Sequence, residues 1–334
     1  QRAEEPAAAA AEPESEPDRL AVGDRRLVVG ADLVEADLGA ARPVVHDLSR
    51  PPRGAGADDV ALADLPPRYS DTLGAPFEWD LQQGGMAGIQ SAGDPLPGAL
   101  IDSIRRTKLA LKGPLTTPVG GGFRSVNVRL REEFGLYANL RPVKTMVPGG
   151  RYEDIDLVLV RENIEGLYVA FEHFIQVGDD PHAVAISSGV NTHAEARRIV
   201  RFAFEYALAH GRKKVTVVHK ANVLKALTGL FLQAGREIAK EYEGRIAMDD
   251  RIVDAFAMQL VMNPWQFDVI VTTNLFGDIL SDQMSGLVGG LGMAPGANIG
   301  EKAAIFEAVH GSAPDIAGKG IANPLALLLA AGLM

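Results

Sequence analysis

The sequence KKVTVVHKANVLKALTGLFLQAGREIAKEY, residues 213–242, places a β-branched run directly before a helical pattern. Residues 213–220 are typical of a buried strand, and the periodic apolar residues of 222–242 predict a long helix. A predicted helix over 194–211 precedes this pair, and a second buried strand at 269–271 leads into another helix. Strands that alternate with helices favour an α/β architecture with a largely parallel sheet.

The same alternation begins near Phe77 and continues through the rest of the chain. The other elements are strands predicted at 77–83, 108–114 and 152–163, helices at 95–107 and 126–137, and a hairpin arm at 181–190. Residues 1–22 are mostly Ala, Pro and Glu with almost no bulky apolar side chains, which predicts disorder. Residues 1–74 as a whole lack a clean helical or strand rhythm, and we expect them to be irregular.

The composition limits the class of protein. The chain has 334 residues, enough for two domains, and its net charge of −10 disfavours a general attraction to nucleic acid or an anionic membrane. The apolar run at 325–334 is too short to span a bilayer. There is no cysteine, which excludes disulfides, thiolate metal sites and cysteine nucleophiles. We therefore expect a cytoplasmic protein without nucleic-acid or membrane partners.

Two aspartates lie four residues apart in VTTNLFGDILSD, residues 271–282. Asp278 and Asp282 therefore share one helix face close to the end of a strand. Two explanations stay open. Asp278 near a helix start can satisfy backbone N–H groups, whereas two carboxylates that face the same way also suit a divalent cation. Asp254 is predicted to face a mostly apolar stripe of its helix, and it is a third carboxylate that could join them around Mg²⁺ or Mn²⁺.

Polar groups that bind carboxylates gather around one predicted helix. Asn127 and Arg131 share a face of this helix, and Ser125 precedes it. Arg141 follows after a turn, and Arg161 ends an apolar strand, which is where open α/β sheets bind ligands. A single arginine in such a pattern is more often a solvated surface residue. Three together fit a substrate with several carboxylates.

Candidate acid–base residues follow the same strands. Lys220 stands between a predicted strand and the next helix; such a lysine is often a surface residue, but in a cleft it can serve as a base. Tyr168 lies seven residues after Arg161 and could supply a proton. His219 is expected to be packed rather than catalytic.

A loop of small residues, EAVHGSAPDIAGKGIANP at 307–324, lets a ligand approach the backbone. His310, Asp315 and Asn323 are its polar contacts. The loop lacks the strand-bound G-x-G-x-x-G of the Rossmann fold. Its spacing is compatible with a nucleotide-binding loop but does not specify one.

Six ordered motifs resemble the β-decarboxylating dehydrogenases, specifically their isocitrate dehydrogenase branch; the family also includes isopropylmalate and homoisocitrate dehydrogenases. The motifs are KGPLTTPVGGGFRSVNVRLR (112–131), LYANLRP (136–142), RENIEGLY (161–168), HKANVLK (219–225), NLFGDILSD (274–282) and HGSAPDIAGKGIANP (310–324). The resemblance covers the chain from about Phe77 to its end. It implies a three-layer α/β fold, not a Rossmann fold, with a large domain, a small domain and a clasp. The implied ranges are 75–118 and 255–334 for the large domain, 119–254 for the small domain, and about 170–192 for the clasp.

The resemblance implies a role for each matching residue. The substrate carboxylates would bind Ser125, Asn127, Arg131, Arg141 and Arg161. Tyr168 and Lys220 would be the acid–base pair, and Mg²⁺ or Mn²⁺ would bind Asp254, Asp278 and Asp282. The NAD contacts would be Thr117 and Asn222 beside the nicotinamide, and His310, Gly311, Ser312, Ala313, Asp315, Ile316 and Asn323 on the adenosine side. In the family, Lys220 and Asp254 reach the site of a second subunit, so a homodimer with shared active sites is implied.

The implied reaction is the oxidative decarboxylation of isocitrate to 2-oxoglutarate with hydride transfer to NAD. Polar Ser125 and Asn127 favour isocitrate over isopropylmalate. Asp315, followed by Ile316, favours NAD, because a carboxylate there accepts hydrogen bonds from ribose hydroxyls and repels a 2′-phosphate.

The chain departs from the family at both ends. The family's opening glycine-rich loop has no match in residues 1–74, and its last helices do not follow the helix that begins at Pro324, so we expect an incomplete chain. Two alternatives stay open: an isopropylmalate- or homoisocitrate-type dehydrogenase, or a catalytically silent or truncated subunit. Intact Arg131, Tyr168 and Lys220 argue against a silent subunit.

Overall fold

The computed structural model describes part of the chain, namely residues 44–45, 78–115, 125–316 and 319–334. The predicted disorder of 1–22 and Thr117 of the predicted nicotinamide contacts lie outside the described residues, as does nearly all of 1–74. These expectations stay predictions.

Eight of the twelve strands in the described residues form one mixed sheet. The twelve strands are β1 (Val44–Val45), β2 (Glu78–Trp79), β3 (Leu109–Lys112), β4 (Ala138–Lys144), β5 (Asp156–Glu162), β6 (Gly166–Val177), β7 (Asp180–Val190), β8 (Lys214–His219), β9 (Ala247–Ile252), β10 (Val269–Thr272), β11 (Pro295–Ile299) and β12 (Ala304–Ala308). The main sheet has the order β3–β12–β11–β4–β5–β10–β8–β9, whereas β1 pairs with β2, and β6 pairs with β7.

The prediction of a largely parallel sheet is wrong for the middle of the sheet. β4 runs antiparallel to β11 and to β5, and β11 runs antiparallel to β12; the remaining neighbours are parallel. Short connections make these reversals possible, because residues 145–155 join β4 to β5 and residues 300–303 join β11 to β12. Hydrogen bonds close the base of the first connection: the Thr145 amide donates to the Ile155 carbonyl at 2.9 Å, and the Ile155 amide donates to the Thr145 hydroxyl at 3.1 Å.

Helices cover both faces of the sheet. They are α1 (Met86–Ala92), α2 (Gly98–Thr107), α3 (Val126–Glu133), α4 (His193–Ala209), α5 (Leu227–Glu241), α6 (Val253–Met262), α7 (Asn274–Leu287) and α8 (Leu325–Leu333). Val158 and Val160 of β5 pack in the core cluster of α4 and α5, while Leu157 and Leu159 pack in the cluster of α6 and α7. This alternation, expected for a strand buried on both faces, confirms the predicted three-layer α/β fold.

Helix α5 begins later than its pattern predicts. The Lys220 carbonyl accepts hydrogen bonds from the amides of Val223 and Leu224, at 3.0 and 2.8 Å. This separate turn occupies the residues between the end of β8 and Leu227. Lys220 and the residues after it therefore lie in a turn rather than in the helix.

The hairpin β6–β7 contains the hairpin arm predicted at 181–190. It carries exposed apolar side chains, among them Phe171, Phe174 and Val177. Contiguous exposed apolar surface is typical of interaction sites. The domain boundaries and the clasp at 170–192 stay predictions.

Within the described part of the chain, no helix combines the length and apolar character required to cross a membrane.

Candidate active site

An open cavity of about 220 Å³ lies where the ends of β3, β5 and β12 approach α3 and α7. Nine residues of the predicted site line it: Ser125, Asn127, Arg131, Arg141, Arg161, Tyr168, Asp278, His310 and Gly311. It is also lined by residues without a predicted role: Lys112, Pro114, Leu115, Val128, Glu307, Ala308 and Val309. Three arginines from three different elements thus meet at one cavity.

Arg161 is held rigidly at the end of β5. It points to the same face of the sheet as Leu159, because it follows that residue by two positions, and so it meets α7. Its side chain is only 1% exposed. The Asn274 Oδ1 atom accepts hydrogen bonds from its Nε and Nη2 atoms at 3.0 and 2.8 Å, and its Nη1 atom bonds Asp278. Gly277 provides the space, because a Cβ atom there would stand 2.5 Å from the Arg161 Cγ atom.

Arg141 is buried between two carboxylates. Its Nε atom donates to the Asn139 Oδ1 atom at 2.6 Å, and its Nη1 atom donates to the Ser281 hydroxyl. Its guanidinium lies 3.8 Å from the Asp278 Oδ1 atom and 3.8 Å from the Asp282 Oδ1 atom. Burial, followed by the charge of Arg161, lowers the pKa of Arg141 to about 10. It still carries a full positive charge at neutral pH.

Arg131 differs from the other two arginines. It lies on α3 with 9% of its surface exposed, and no described residue forms a hydrogen bond or ion pair with its guanidinium. Burial, followed by the charge of Arg161, lowers the pKa of Arg131, whereas Glu307 and Asp278 oppose that effect. A buried cation without a paired anion is costly. This guanidinium is therefore the group of the cavity most in need of an anionic ligand.

Tyr168 and Asp278 form a direct pair. The Tyr168 hydroxyl donates to the Asp278 Oδ2 atom at 2.5 Å, and the Arg161 guanidinium lies 5.2 Å from the centre of the tyrosine ring. Burial, followed by the bond to Asp278, raises the pKa of Tyr168. Burial also acts to raise the pKa of Asp278, but the charge of Arg161 and the bond from Tyr168 outweigh it and leave that pKa below its usual value.

These contacts exclude one of the two explanations of Asp278. Helix α7 begins at Asn274, so Asp278 lies beyond its first turn. Its carboxylate bonds the side chains of Arg161 and Tyr168. The explanation that Asp278 satisfies backbone N–H groups at a helix start is therefore wrong.

Sequence reasoning missed a buried ion pair in the cavity wall. The Lys112 Nζ atom lies 2.5 Å from the Glu307 Oε2 atom, and both side chains are buried. Burial acts to raise the pKa of Glu307, but the charges of Lys112 and Arg131 outweigh it and lower that pKa to about 2. The available signal was a charged residue in each of two short strands, LALK and AIFEA, that are otherwise apolar.

Lys220 and Asp254 lie together but away from this cavity. The Lys220 Nζ atom is 2.6 Å from the Asp254 Oδ1 atom, and 68% of the Asp254 side chain is exposed. The hydrogen bond from Lys220 lowers the pKa of Asp254. Asp254 thus lies in the exposed first turn of α6, and the expectation that it faces the apolar side of the helix is wrong. His219 is packed as predicted: it is buried, and its Nε2 atom is 3.2 Å from the Asp250 Oδ2 atom.

A complete metal site is not formed by the described residues of a single chain. No group of three or more His, Cys, Asp or Glu side chains among them could hold a metal ion. Asp278 and Asp282 share a face of α7 and are 41% and 56% exposed. Two carboxylates fit Mg²⁺, which commonly uses one or two protein carboxylates together with ligand oxygens and water. Burial raises the pKa of Asp282 although Arg141 opposes it, and a cation at this face would keep the carboxylate ionised.

The predicted NAD contacts are only partly near the cavity. His310 and Gly311 line it, whereas Ser312, Ala313, Asp315 and Ile316 follow along an exposed or half-buried loop. The Asn323 Oδ1 atom accepts from the Leu325 amide at 3.0 Å, so this side chain caps the start of α8. Asn222 is exposed in the turn after Lys220.

Comparison with known proteins identifies the family. The sequence profile described as isocitrate/isopropylmalate dehydrogenase matches residues 69–334. The mitochondrial NAD isocitrate dehydrogenase catalytic subunit 5 of Arabidopsis thaliana is 45% identical over 276 residues, covering 82% of this chain and 72% of that protein. The chloroplastic 3-isopropylmalate dehydrogenase of Solanum tuberosum is 46% identical over 257 residues, covering 76% of this chain and 70% of that protein.

A solved structure agrees with these matches. The crystal structure of isocitrate dehydrogenase from Methylococcus capsulatus superposes with a TM-score of 0.80 at 54% identity, covering 87% of this chain and 84% of that one. Relatives that act on different acids are thus similar to this chain to nearly the same degree. The profile match and these identities show that the chain belongs to the isocitrate/isopropylmalate dehydrogenase family.

Proposed function

We propose that this protein is an isocitrate dehydrogenase, which converts isocitrate to 2-oxoglutarate by metal-dependent oxidative decarboxylation and transfers the hydride to NAD. The family catalyses oxidative decarboxylation, so the substrate is the main choice to be argued. The observation that carries the choice of isocitrate is that the polar side chains of Ser125 and Asn127 line the cavity beside three arginines.

The charge of the cavity supports a substrate with several carboxylates. Arg161 already binds Asp278, and Arg141 lies between Asp278 and Asp282. Arg131 has no such partner among the described residues, so one substrate carboxylate would pair with it. A cation that engages Asp278 and Asp282 would leave Arg141 available for another substrate carboxylate. Isocitrate carries three carboxylates, whereas isopropylmalate carries two and an apolar arm.

Asn127 supports the same choice. Its Oδ1 atom is buried, and no donor in the described part of the chain reaches it. An unpaired buried acceptor costs about 1–3 kcal/mol, so a substrate hydroxyl that donates to it would stabilise the site. The Nδ2 atom of the same amide could donate to the carboxylate that isocitrate carries and isopropylmalate lacks. Leu115 and Val128 line the same cavity, and this apolar surface favours isopropylmalate as the second candidate.

Tyr168 is the proposed proton donor. Its raised pKa keeps the hydroxyl protonated at neutral pH, and the hydrogen bond to Asp278 fixes its direction. A positioned acid of this kind contributes about 10²–10⁴-fold to a rate. The hydroxyl lines the cavity and would return a proton to the substrate carbon after carbon dioxide leaves.

Lys220 and Asp254 are proposed to act in the site of a second copy of the chain. Their pair lies outside the cavity of the chain to which they belong. The exposed apolar side chains of β6–β7 support a homodimer through burial of that surface. Asp254 of a second copy would then complete the cation site beside Asp278 and Asp282.

The cofactors follow from the same residues. Asp278, Asp282 and Asp254 of a second copy would hold Mg²⁺ or Mn²⁺, which when bound polarises the substrate hydroxyl and stabilises negative charge on its oxygen. NAD would lie against His310–Ile316, with Asn323 at the end of the loop and Thr117 and Asn222 toward the nicotinamide. A cytoplasmic location stays a prediction.

A spectrophotometric assay tests the proposal. The wild-type protein should reduce NAD in the presence of isocitrate and Mn²⁺, with a higher kcat/KM for isocitrate than for isopropylmalate and for NAD than for NADP. Asp282→Asn should lose this activity. Asp102→Asn, which removes an exposed carboxylate of α2 that bonds Arg105, is the matched control and should keep it.

Two other results of this assay would change the proposed function. Preference for isopropylmalate would replace the first candidate with the second. Absence of NADH formation with isocitrate, isopropylmalate and homoisocitrate would favour a catalytically silent or truncated subunit.

A further inference from the structure

A row of buried polar side chains connects Arg141 to Lys112 across four strands. Arg141 Nε donates to Asn139 Oδ1 at 2.6 Å, and Asn139 Nδ2 donates to Asn298 Oδ1 at 2.7 Å. Asn298 Nδ2 donates to Glu307 Oε1 at 2.7 Å, and the other Glu307 oxygen binds Lys112 at 2.5 Å. We call these five residues the Asn298 network. Both ends of the network line the cavity, but Asn298 does not.

The two cations at the ends fix the direction of every hydrogen bond. Arginine and lysine can only donate, so the Asn139 oxygen must face Arg141 and its amide nitrogen must face Asn298. Asn298 must then accept from Asn139 and donate to Glu307. If either side-chain amide of the network rotated by 180°, two donors or two acceptors would face each other.

Asn298 uses its full hydrogen-bonding capacity. Its oxygen accepts a second bond from Asn163 at 3.0 Å, and its nitrogen donates a second bond to the Ile305 carbonyl at 3.3 Å. It is 3% exposed and stands opposite Asn139 in the β11–β4 pairing. Four bonds from one amide tie β11 to β4, to β12 and to the residue that follows β5.

We propose that Asn298 is a positioning residue for the reaction, which orients Arg141 through Asn139 toward a substrate carboxylate and at the same time holds Glu307 against Lys112 in the opposite wall. This inference rests on the proposed function, because it takes Arg141 as a carboxylate-binding group. Asn298 touches no substrate; it acts through the residues that line the cavity.

The charges around Glu307 agree with this role. Lys112 of β3 and Arg131 of α3 are the cations near Glu307, and Asn298 faces it from β11. Their influence lowers the pKa of Glu307 to about 2. Glu307 is therefore an acceptor at any working pH, and the amide of Asn298 matches it as a donor.

Asn298→Asp is the decisive variant, because it keeps the shape of the side chain and replaces the donor with a carboxylate oxygen facing Glu307. Two carboxylates in contact disfavour the state in which both are ionised. At about pH 6 the pair should share a proton that restores the hydrogen bond. As the pH rises the proton is lost and the two groups repel each other. The affinity for isocitrate with Mn²⁺, measured by calorimetry relative to wild type at each pH, should fall roughly 10- to 100-fold by about pH 8.5 and recover near pH 6.

Thr216→Val is the matched control. It removes a different buried polar group of the sheet, a hydroxyl that donates to Asp249 at 2.6 Å, and it should leave the affinity for isocitrate unchanged at every pH. Melting temperatures of both variants at each pH would separate loss of folded protein from loss of affinity. A ratio of variant to wild-type affinity that does not change with pH would overturn the role of Asn298 alone.

A second variant covers the case in which Asn298→Asp does not fold. The short hydroxyl of Asn298→Ser cannot reach both Asn139 and Glu307, so the affinity should fall about tenfold at every pH. Unchanged affinity would again overturn the inference. If the wild-type protein binds neither isocitrate nor isopropylmalate, the proposed function fails, and this inference fails with it.

Discussion

Replacement of Gly277 by alanine should damage the site through Arg161 rather than through the helix. A Cβ atom at this position would stand 2.5 Å from Cγ, 2.7 Å from Cβ and 3.1 Å from Cδ of Arg161. These atoms belong to the inner part of the arginine side chain. They can move only if the guanidinium leaves its two hydrogen bonds to Asn274.

Two opposing effects set the change in stability. Alanine is about 1 kcal/mol more favourable than glycine inside a helix, whereas overpacking a core costs about 1–3 kcal/mol. The net loss in free energy of unfolding is then about 0–2 kcal/mol. The loss in function should be larger, because a displaced Arg161 no longer binds carboxylates in the required direction. We expect kcat/KM for isocitrate to fall roughly 10- to 100-fold.

Gly286→Ala provides the control in the same helix, because an added Cβ atom there meets no atom within 4 Å. It should keep activity and gain up to about 1 kcal/mol. Urea denaturation gives the stability of both variants, and the NADH assay gives kcat/KM. If Gly277→Ala matches Gly286→Ala in both measurements, the contact with Arg161 does not constrain the site.

Three further predictions test the charges. Arg131→Gln should raise the KM for isocitrate roughly 10- to 100-fold and keep or raise Tm, since it removes a buried unpaired cation; a large drop in Tm would contradict this. Tyr168→Phe and Lys220→Met should each be inactive alone. An equal mixture whose subunits exchange in a twofold dimer should recover roughly a quarter of wild-type activity, because half of the dimers are mixed and one of their two sites is intact. No recovery would contradict shared sites. Burial raises the pKa of Glu162 from 4.5 to about 7. Its protonated form therefore stabilises the fold fully below pH 4.5, and about 3 kcal/mol is lost as the pH rises through about 7. Urea titrations at several pH values measure how the free energy of unfolding depends on pH. Glu162→Gln should abolish this dependence, and an unchanged dependence would exclude Glu162 as its source.

The alternation of strands and helices was visible locally, so the α/β class could be predicted. β5, β8 and β10 are apolar runs buried on both faces, which gives a strong pattern. β4 and β11 contain Asn139, Arg141 and Asn298 at buried positions. These polar residues interrupt the apolar pattern by which a buried strand is predicted, and the antiparallel centre of the sheet was therefore missed.

The site was predictable to the extent that each residue matched a motif. Arg131, Arg141, Arg161, Tyr168 and Asp278 meet at one cavity as expected. Pairing could not be predicted, because partners lie far apart in the sequence and only the fold brings them together. The bond from Tyr168 to Asp278 spans 110 positions, and the bond from Asn139 to Asn298 spans 159.

The connection between β4 and β5 is a suitable place to insert a label into this protein. Residues 146–151 are exposed, and the hydrogen bonds between Thr145 and Ile155 isolate them from the strands. A fluorophore or an affinity peptide inserted there would leave the register of both strands intact. Deletion of one residue inside β4, by contrast, would turn Arg141 to the opposite face of the sheet.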